Sequence, residues 1–165
     1  MPGGARADFG RHKVRFAADV GAARPVTTTT PTGQELTCRA TFLALHDVAS
    51  GESVLLGQVT NRIGYIWLPD QVVYTNAFDT IRADLRYTYG SSGYWLEQDV
   101  ILREWPERLP AGWLPENVRL EVWTEWFGVT PEVTESQALN LRTALADAAP
   151  APVLDETLAF GGMKI

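Results

Sequence analysis

The segment RADLRYTYGSSGYWLEQDVILREW, residues 82–105, alternates apolar and polar side chains, breaks at Gly90–Gly93, and then alternates again. A period of two is typical of a strand that lies on a core with one face, and a break rich in glycine and serine is typical of a turn. The segment therefore predicts an antiparallel β-hairpin formed by residues 80–89 and 94–104.

A turn at Gly90–Gly93 also predicts which residues of the hairpin face each other. It places Tyr89 opposite Tyr94, Tyr87 opposite Leu96 and Ile81 opposite Leu102. A slip by one residue would move all the charges into the core, so the two faces are well specified. The residues expected to be buried are Leu85, Tyr87, Leu96, Val100 and Leu102.

The other face of the hairpin carries the charges. The same register sets Arg86 opposite Glu97, which is a favourable cross-strand pair. It also sets Asp84 opposite Asp99, which is unfavourable unless an arginine lies diagonally between them. We therefore expect a solvent-facing row of alternating charges.

Glu97 and Asp99 are the strongest candidates for acid–base chemistry in this sequence. Two residues apart on a strand, their Cα atoms lie roughly 6.6 Å from each other, and paired carboxylates at about this separation hydrolyse glycosides. Trp95 shares their face and could stack on a sugar. Arginines opposite would lower the carboxyl pKa, however, whereas a general acid needs a raised one. We therefore predict no catalytic residues, and a glycoside hydrolase is the less favoured alternative.

The alternation extends to other segments of the chain. Residues 36–47 place Cys38, Ala40, Phe42 and Ala44 on one apolar face, where Cys38 is expected to be a buried, unreactive thiol. Further strands are predicted over 12–20, 54–60, 118–128 and 157–165, the last interrupted by Gly-Gly, with two short strands within 63–78. Loops are predicted over 27–35 and 105–117.

Only one segment favours a helix. In TESQALNLRTALADAA (134–149), Ala138, Leu141 and Leu145 recur at helical spacing, with a polar linker as the alternative. Many short strands between turn signals predict an all-β, antiparallel, double-sheet β-sandwich with at most one short helix near 136–148. Residues 1–11 are expected to be a disordered tail, and residues 12–165 a single sandwich-like domain. The apolar ending GGMKI suggests a piece of a longer chain.

Composition narrows the classes of function. The 165 residues carry a formal net charge of −6, and the cations are scattered, which disfavours binding to nucleic acid. No apolar run is long enough to insert into a membrane, and the first residues do not form a signal peptide. With Cys38 as the single cysteine and only His12 and His46, we predict no disulfide, no metal site and no cofactor.

Six tryptophans are many for this length, and two are candidates for ligand binding. In residues 118–127, Trp123 falls on the face with Glu121, Glu125 and Phe127, so it is expected to be exposed or covered by a second layer. Trp95 is the other surface candidate. Two further tryptophans, Trp105 and Trp113, lie in the predicted loop over 105–117 and are expected to cover the ends of the core.

Three segments of the chain resemble those of a known class of protein. They are ADLRYTYGSSGYWLEQDVILREWPERLP (83–110), RLEVWTEWF (119–127) and DETLAFGGMKI (155–165). Their succession, within roughly residues 60–165, is similar to a β-rich region of very long bacterial exported proteins of the RHS/YD-repeat type. The resemblance implies a structural module and carries no catalytic residues. The chain lacks the tyrosine/aspartate repeats and a toxin domain.

The expected function is therefore a non-catalytic structural or interaction module of a large bacterial exported or cell-surface protein. Its expected partners are adjacent domains of that longer polypeptide, and its expected location is extracellular or at the cell surface. The alternative is a carbohydrate-binding module that holds a glycan with Trp95 and Trp123.

Overall fold

The computed structural model describes residues 2–90, 95–106, 108–128, 130, 133–139, 153–160 and 163–164. Within these ranges the chain forms strands, loops and a single 3-10 turn at Pro115–Asn117. In chain order the strands are β1 (Ala5–Ala7), β2 (Lys13–Phe16), β3 (Val26–Thr29), β4 (Glu35–Asp47), β5 (Glu52–Gln58), β6 (Tyr65–Leu68), β7 (Gln71–Tyr74), β8 (Ala83–Tyr89), β9 (Leu96–Leu102), β10 (Val118–Phe127), β11 (Val133–Leu139), β12 (Val153–Phe160) and β13 (Met163–Lys164).

Two antiparallel sheets build the sandwich, so the predicted all-β fold is confirmed. Sheet A has the order β1-β2-β3-β4-β10, and β5 pairs with the second half of β4. Sheet B has the order β6-β7-β8-β9. A further antiparallel sheet, sheet C, consists of β11, β12 and β13. In sheets A and B, β10 and β9 are edge strands.

The core lies between sheets A and B, because each sheet turns its apolar residues toward the other. Burying such side chains is the main favourable term in folding, at about 25 cal/mol per Å² of apolar area. Tyr74, Leu85 and Tyr87 are completely enclosed. The buried cluster consists of Val14, Phe16, Val20, Val26, Cys38, Ala40, Leu43, Val72, Tyr74, Ala77, Phe78, Ile81, Ala83, Leu85, Tyr87 and Tyr89.

The predicted hairpin forms with the predicted faces, but its register differs by two residues. Tyr89 pairs with Leu96 and Tyr87 with Gln98, where Tyr94 and Leu96 were expected. The Gly90 amide donates to the Trp95 carbonyl at 3.0 Å, so the two strands remain paired as far as these residues. A shift of two keeps every side chain on its face, and alternation alone cannot detect it.

Burial across the hairpin follows the position of each strand in sheet B. Leu85 and Tyr87 on the inner strand β8 are buried as predicted. Leu96, Val100 and Leu102 pack against the core but are only half-buried, which corrects their expected full burial. The physical reason is that β9 is the edge of the sheet, with a neighbour on one side.

Two arginine–carboxylate pairs order the polar face of the hairpin. Arg86 donates from Nε and Nη2 to Asp99 Oδ2 at 3.0 and 2.9 Å, so its partner is Asp99 and not the expected Glu97. Asp84 does not face Asp99 and the expected repulsion does not arise. Its buried carboxylate accepts hydrogen bonds from Arg103 and from the Asn76 amide.

Strand β4 contains a bulge that changes the face of its second half. Trp123 of β10 pairs with Phe42 and Thr124 pairs with Ala40, so Thr41 is the extra residue. A bulge of one residue reverses the alternation beyond it. Leu43 therefore enters the core in place of Phe42, which corrects the prediction that Phe42 shares a face with Ala40.

Two segments predicted to be irregular are strands. Residues 5–7 form β1 and pair with β2, so the prediction of a disordered tail over 1–11 is wrong for this part. The Tyr89 hydroxyl lies within hydrogen-bond distance of the carbonyls of Phe9 and His12 and shares its one proton between them, which ties the segment after β1 to sheet B. Residues 26–29, at the start of the predicted loop over 27–35, form β3, because the threonines favour extended backbone and their amides find partners in β2 and β4.

Two predictions near the end of the chain are also corrected. The segment expected to be a helix over 134–149 begins as β11, which pairs with β12 from Val133 to Leu139; its remainder lies outside the described residues. Seven residues can satisfy a period of two and of 3.6 alike, and cross-strand pairing decides between them. Within the segment predicted as one kinked strand over 157–165, Phe160 pairs with Met163, so it is a hairpin.

A turn before β8 connects the two sheets of the sandwich. The Gln58 amide at the end of β5 donates to Asp79 Oδ1 at 2.8 Å, and the Asp79 amide donates to the Gln58 carbonyl at 3.0 Å. The Thr80 hydroxyl donates to the Leu56 carbonyl. The hydrogen bond from the Gln58 amide holds the pKa of Asp79 below its usual value, because it stabilises the ionised carboxylate.

Candidate interaction surface

Trp123 lies on the outer face of sheet A, on the edge strand β10. Its cross-strand partner is Phe42, which the bulge at Thr41 has turned away from the core. The two rings meet edge to face, with centroids 6.3 Å apart and planes inclined by 76°. The Trp123 side chain remains 53% exposed. A large aromatic pair therefore stands on the solvent side of a sandwich whose core is already filled.

Polar groups surround this aromatic pair. The Trp123 indole Nε1 donates to Glu121 Oε2 at 3.1 Å. Further along β10 lies Glu125, whose Oε2 accepts hydrogen bonds from Nε and Nη2 of Arg39 on β4, at 3.0 and 2.5 Å. The Arg39 guanidinium also lies 5.8 Å from the centre of the Phe127 ring, within the range of a cation–π contact. We call Phe42, Trp123, Phe127 and the charged residues Arg39, Glu121 and Glu125 the Trp123 surface.

A shallow open groove runs across the Trp123 surface. Its volume is about 630 Å³, which is within the size range of small-ligand sites, but it is open to solvent and not enclosed. Catalytic sites typically gather convergent groups in a pocket that excludes water, and this groove does not have that enclosure. The groove is lined by Thr41, Phe42, Glu121, Val122, Trp123, Thr124 and Glu125.

The charge of the groove is uneven. Glu125 is neutralised by Arg39, whereas no lysine or arginine of the described residues forms an ion pair with Glu121, and the Nδ1 atom of the His46 ring lies 3.8 Å from Glu121 Oε1. His46 Nδ1 also lies 3.0 Å from the Ser53 hydroxyl. Glu121 therefore gives the groove a negative charge beside Trp123.

Trp95, the second predicted ligand-binding residue, lies at a different place. It is 49% exposed and follows the hairpin loop. Its indole covers Gly90, where a Cβ atom would clash with the ring. Trp95 is not among the residues that line the groove of Trp123. The two tryptophans are thus not brought together in that groove.

Glu97 and Asp99 lie on the open face of sheet B. Glu97 is exposed, and Asp99 is held by Arg86 at 2.9 Å. Their arrangement is that of a row of surface charges.

The other chemically notable residues have structural surroundings. Cys38 is buried, as predicted, and burial raises the pKa of its thiol to about 12. Asp47 accepts a hydrogen bond from the Ser50 amide at 2.9 Å, while His46 lies against Ser53, so the two neighbours do not form a pair. Trp113 is buried, as expected for a residue that closes the core, but Trp105 is 57% exposed.

Strand β6 forms an exposed apolar segment that was not predicted from the sequence. Ile66, Trp67 and Leu68 of β6 are all exposed, with Trp67 at 63%. Strand β6 is an edge of sheet B, which leaves these side chains uncovered. The apolar composition of these residues does not indicate that they are exposed, because edge strands and central strands have similar compositions.

Within the described residues, no helix is long and apolar enough to cross a membrane. The same part of the chain brings together no group of three or more His, Cys, Asp or Glu residues that could hold a metal ion.

Comparisons of the chain with protein-family models, with curated proteins and with solved structures found no match.

Proposed function

We propose that this chain is a non-catalytic structural or interaction module of a large bacterial exported or cell-surface protein. In this proposal the Trp123 surface docks against an adjacent domain of the same polypeptide, outside the cell or at its surface. The observation that carries the proposal is the exposed Trp123–Phe42 pair on the outer face of a sheet whose inner face already covers a complete core. The resemblance of residues 60–165 to RHS/YD-repeat-type proteins supports the bacterial surface context.

The energetics favour a covered surface over an open one. Burying an aromatic side chain of this size contributes about 1.5–3 kcal/mol, and tryptophan and arginine are enriched where proteins meet. The ion pair of Arg39 with Glu125 sits beside the aromatic pair, as polar groups do at the rim of an interface.

Hydrogen exchange would test this proposal. The exchange of the β10 amides is measured in the 165-residue chain alone and in the larger protein that this proposal requires. We expect slower exchange over Val118–Phe127 in the longer polypeptide, and we expect Trp123→Ala to remove part of that protection. Equal exchange in both forms, with Trp123 equally open to a fluorescence quencher, would contradict docking at this surface.

A carbohydrate-binding module is the second candidate. The specific observation in its favour is an exposed indole in an open groove with carboxylates and the Thr41 hydroxyl beside it, since sugars stack on aromatic rings and hydrogen-bond to such groups. Glycan-array binding combined with quenching of tryptophan fluorescence tests this candidate. Binding that is lost in Trp123→Ala and retained in Trp95→Ala would favour it over domain docking.

A further inference from the structure

The outer edge of β10 has no strand beside it within the described part of the chain. The strand runs for 10 residues and pairs only with β4. It contains no proline, and the bulge of this pair lies in β4, so the edge is regular along its whole length. A long regular edge offers a row of unpaired amides and carbonyls to another extended chain.

The direction of these backbone groups follows from one hydrogen bond. The Thr41 hydroxyl donates to the Trp123 carbonyl at 3.0 Å, so the backbone of Trp123 faces β4. Residues along an antiparallel pair alternate in the direction of their amides and carbonyls. Val122 and Thr124 therefore direct theirs toward the free edge.

We infer that β10 is a strand-addition site, at which an extended polypeptide segment pairs antiparallel with the free edge. The segment would place an aliphatic side chain opposite Trp123 and a basic side chain opposite Glu121. This inference rests on the proposed function, since it names the kind of partner that the Trp123 surface accepts. The backbone ladder would supply affinity, and the two outer-face positions would supply selectivity.

Charge decides the chemistry of the partner. Glu125 already has Arg39 as its ion-pair partner, whereas no arginine or lysine of the described residues pairs with Glu121, whose neighbours are the Trp123 indole and the His46 ring. An opposite charge directly across a strand pair is favourable, and a like charge is unfavourable. A lysine or arginine opposite Glu121 would neutralise its charge and donate hydrogen bonds to its carboxylate.

The same charges disfavour a second copy of this strand as the occupant. An antiparallel pair of two β10 strands centred on Trp123 would set Glu121 of each strand opposite Glu125 of the other. That arrangement brings like charges together at two positions, at the point where the aromatic contact would be best. The occupant is therefore a different segment.

The exposed edge of β6 is less suited to the same role. It has four residues, its pairing with β7 is irregular between Ile66 and Leu68, and Pro69 follows directly. Short, bulged edges that end in proline are the ones that proteins use to prevent pairing. β10 has none of these protections.

A synthetic peptide tests the inference. The probe is acetyl-Thr-Thr-Val-Ile-Val-Lys-Thr-amide, whose isoleucine falls opposite Trp123 and whose lysine falls opposite Glu121. Its affinity for the 165-residue chain is measured by titration calorimetry, with tryptophan fluorescence as a second signal, because the peptide contains no tryptophan. Saturable binding in the micromolar to millimolar range is expected, and its absence at about 1 mM overturns the inference.

Methylation of the peptide backbone separates strand addition from docking by side chains. The two valine amides point at β10 in this register, so N-methylation of both should weaken binding at least about tenfold. N-methylation of the isoleucine and lysine amides, which point away, is the matched control and should change affinity less than about threefold. If the valine-methylated peptide binds as tightly as the parent peptide, strand addition is overturned, while the proposed interaction function stands.

Variants of the protein give an independent test. Val122→Pro removes an amide that faces the free edge and not β4, so it should abolish peptide binding, while Val122→Ala should retain it. The lysine peptide should bind Glu121→Gln about threefold more weakly than the wild-type chain, and a peptide with glutamate in place of lysine should bind the wild-type chain still more weakly. A folded Val122→Pro chain with unchanged affinity overturns the inference; if that variant does not fold, the methylated peptides decide.

Discussion

Arg103 holds the carboxylate of Asp84 from the solvent side of sheet B, donating from Nε at 2.9 Å and from Nη2 at 2.6 Å to Oδ2. The Asp84 residue is 1% exposed, so the arginine is the partner that makes its burial tolerable. The Asn76 amide binds the other oxygen at 2.8 Å. These contacts fasten the loop after β7 and the residue after β9 to the start of β8.

The first prediction concerns this pair. Arg103→Met should lower the free energy of unfolding by about 3 kcal/mol, because it leaves a buried carboxylate short of its cation. Urea unfolding measures the loss. Arg119→Met is the matched control on an exposed strand position and should cost less than about 0.5 kcal/mol. Equal costs for the two variants would mean that Asp84 does not depend on Arg103.

The second prediction concerns the register of the hairpin. A double-mutant cycle of Arg86→Ala with Asp99→Ala should give a coupling of about 0.2–1 kcal/mol, since these side chains face each other and bond directly. The cycle of Arg86→Ala with Glu97→Ala should give a coupling near zero, because Glu97 pairs with Thr88. The reverse order of the two couplings would restore the register expected from the sequence.

The third prediction concerns Cys38. Burial raises the pKa of its thiol to about 12, so very little thiolate is present at pH 8 in the folded chain. We expect reaction with a disulfide reagent to be at least about a thousandfold slower than in the unfolded chain. Absorbance of the released thiolate follows the reaction, and the same chain in guanidinium is the control. Fast labelling of the folded chain would show that Cys38 is accessible.

The fourth prediction concerns acid stability. The folded-state pKa of Asp79 is depressed below its usual value of 3.8 by the hydrogen bond from the Gln58 amide. Its contribution to stability is therefore complete above pH 3.8 and is lost as the pH falls through the depressed pKa. Asp79→Asn should destabilise the chain at neutral pH and should lose less further stability than the wild-type chain between pH 5 and pH 2. Urea midpoints over that range measure both; parallel curves would contradict the assignment.

Sequence patterns predicted which face of most strands is buried, but they did not predict which residues pair across neighbouring strands. Alternation placed Leu85 and Tyr87 in the core and Arg86 outside it, because the period of two is a property of the strand alone. The pairing of Arg86 with Asp99 depends on where the hairpin strands separate, and shifts by two residues look identical in the pattern. Edge position likewise decides that Leu102 is half-buried.

The candidate surface was predicted only in part, for a related reason. The exposure of Trp123 follows from the alternation of β10 and was expected. Its contact with Phe42 was not, because the bulge at Thr41 has no signature in residue type that distinguishes it from a regular strand. Asp84 was expected to be a surface charge, and its burial depends on Arg103, which lies 19 residues away in the chain.

The bulge at Thr41 also decides where β4 can become shorter. Thr41 is the extra residue of the pair with β10, so its deletion would leave a regular strand in which Phe42 still faces away from the core and Leu43 still enters it. In a regular stretch, by contrast, the removal of one residue moves the residues beyond it to the opposite face. A single-residue deletion at Thr41 should therefore be better tolerated than a single-residue deletion between Leu43 and Asp47.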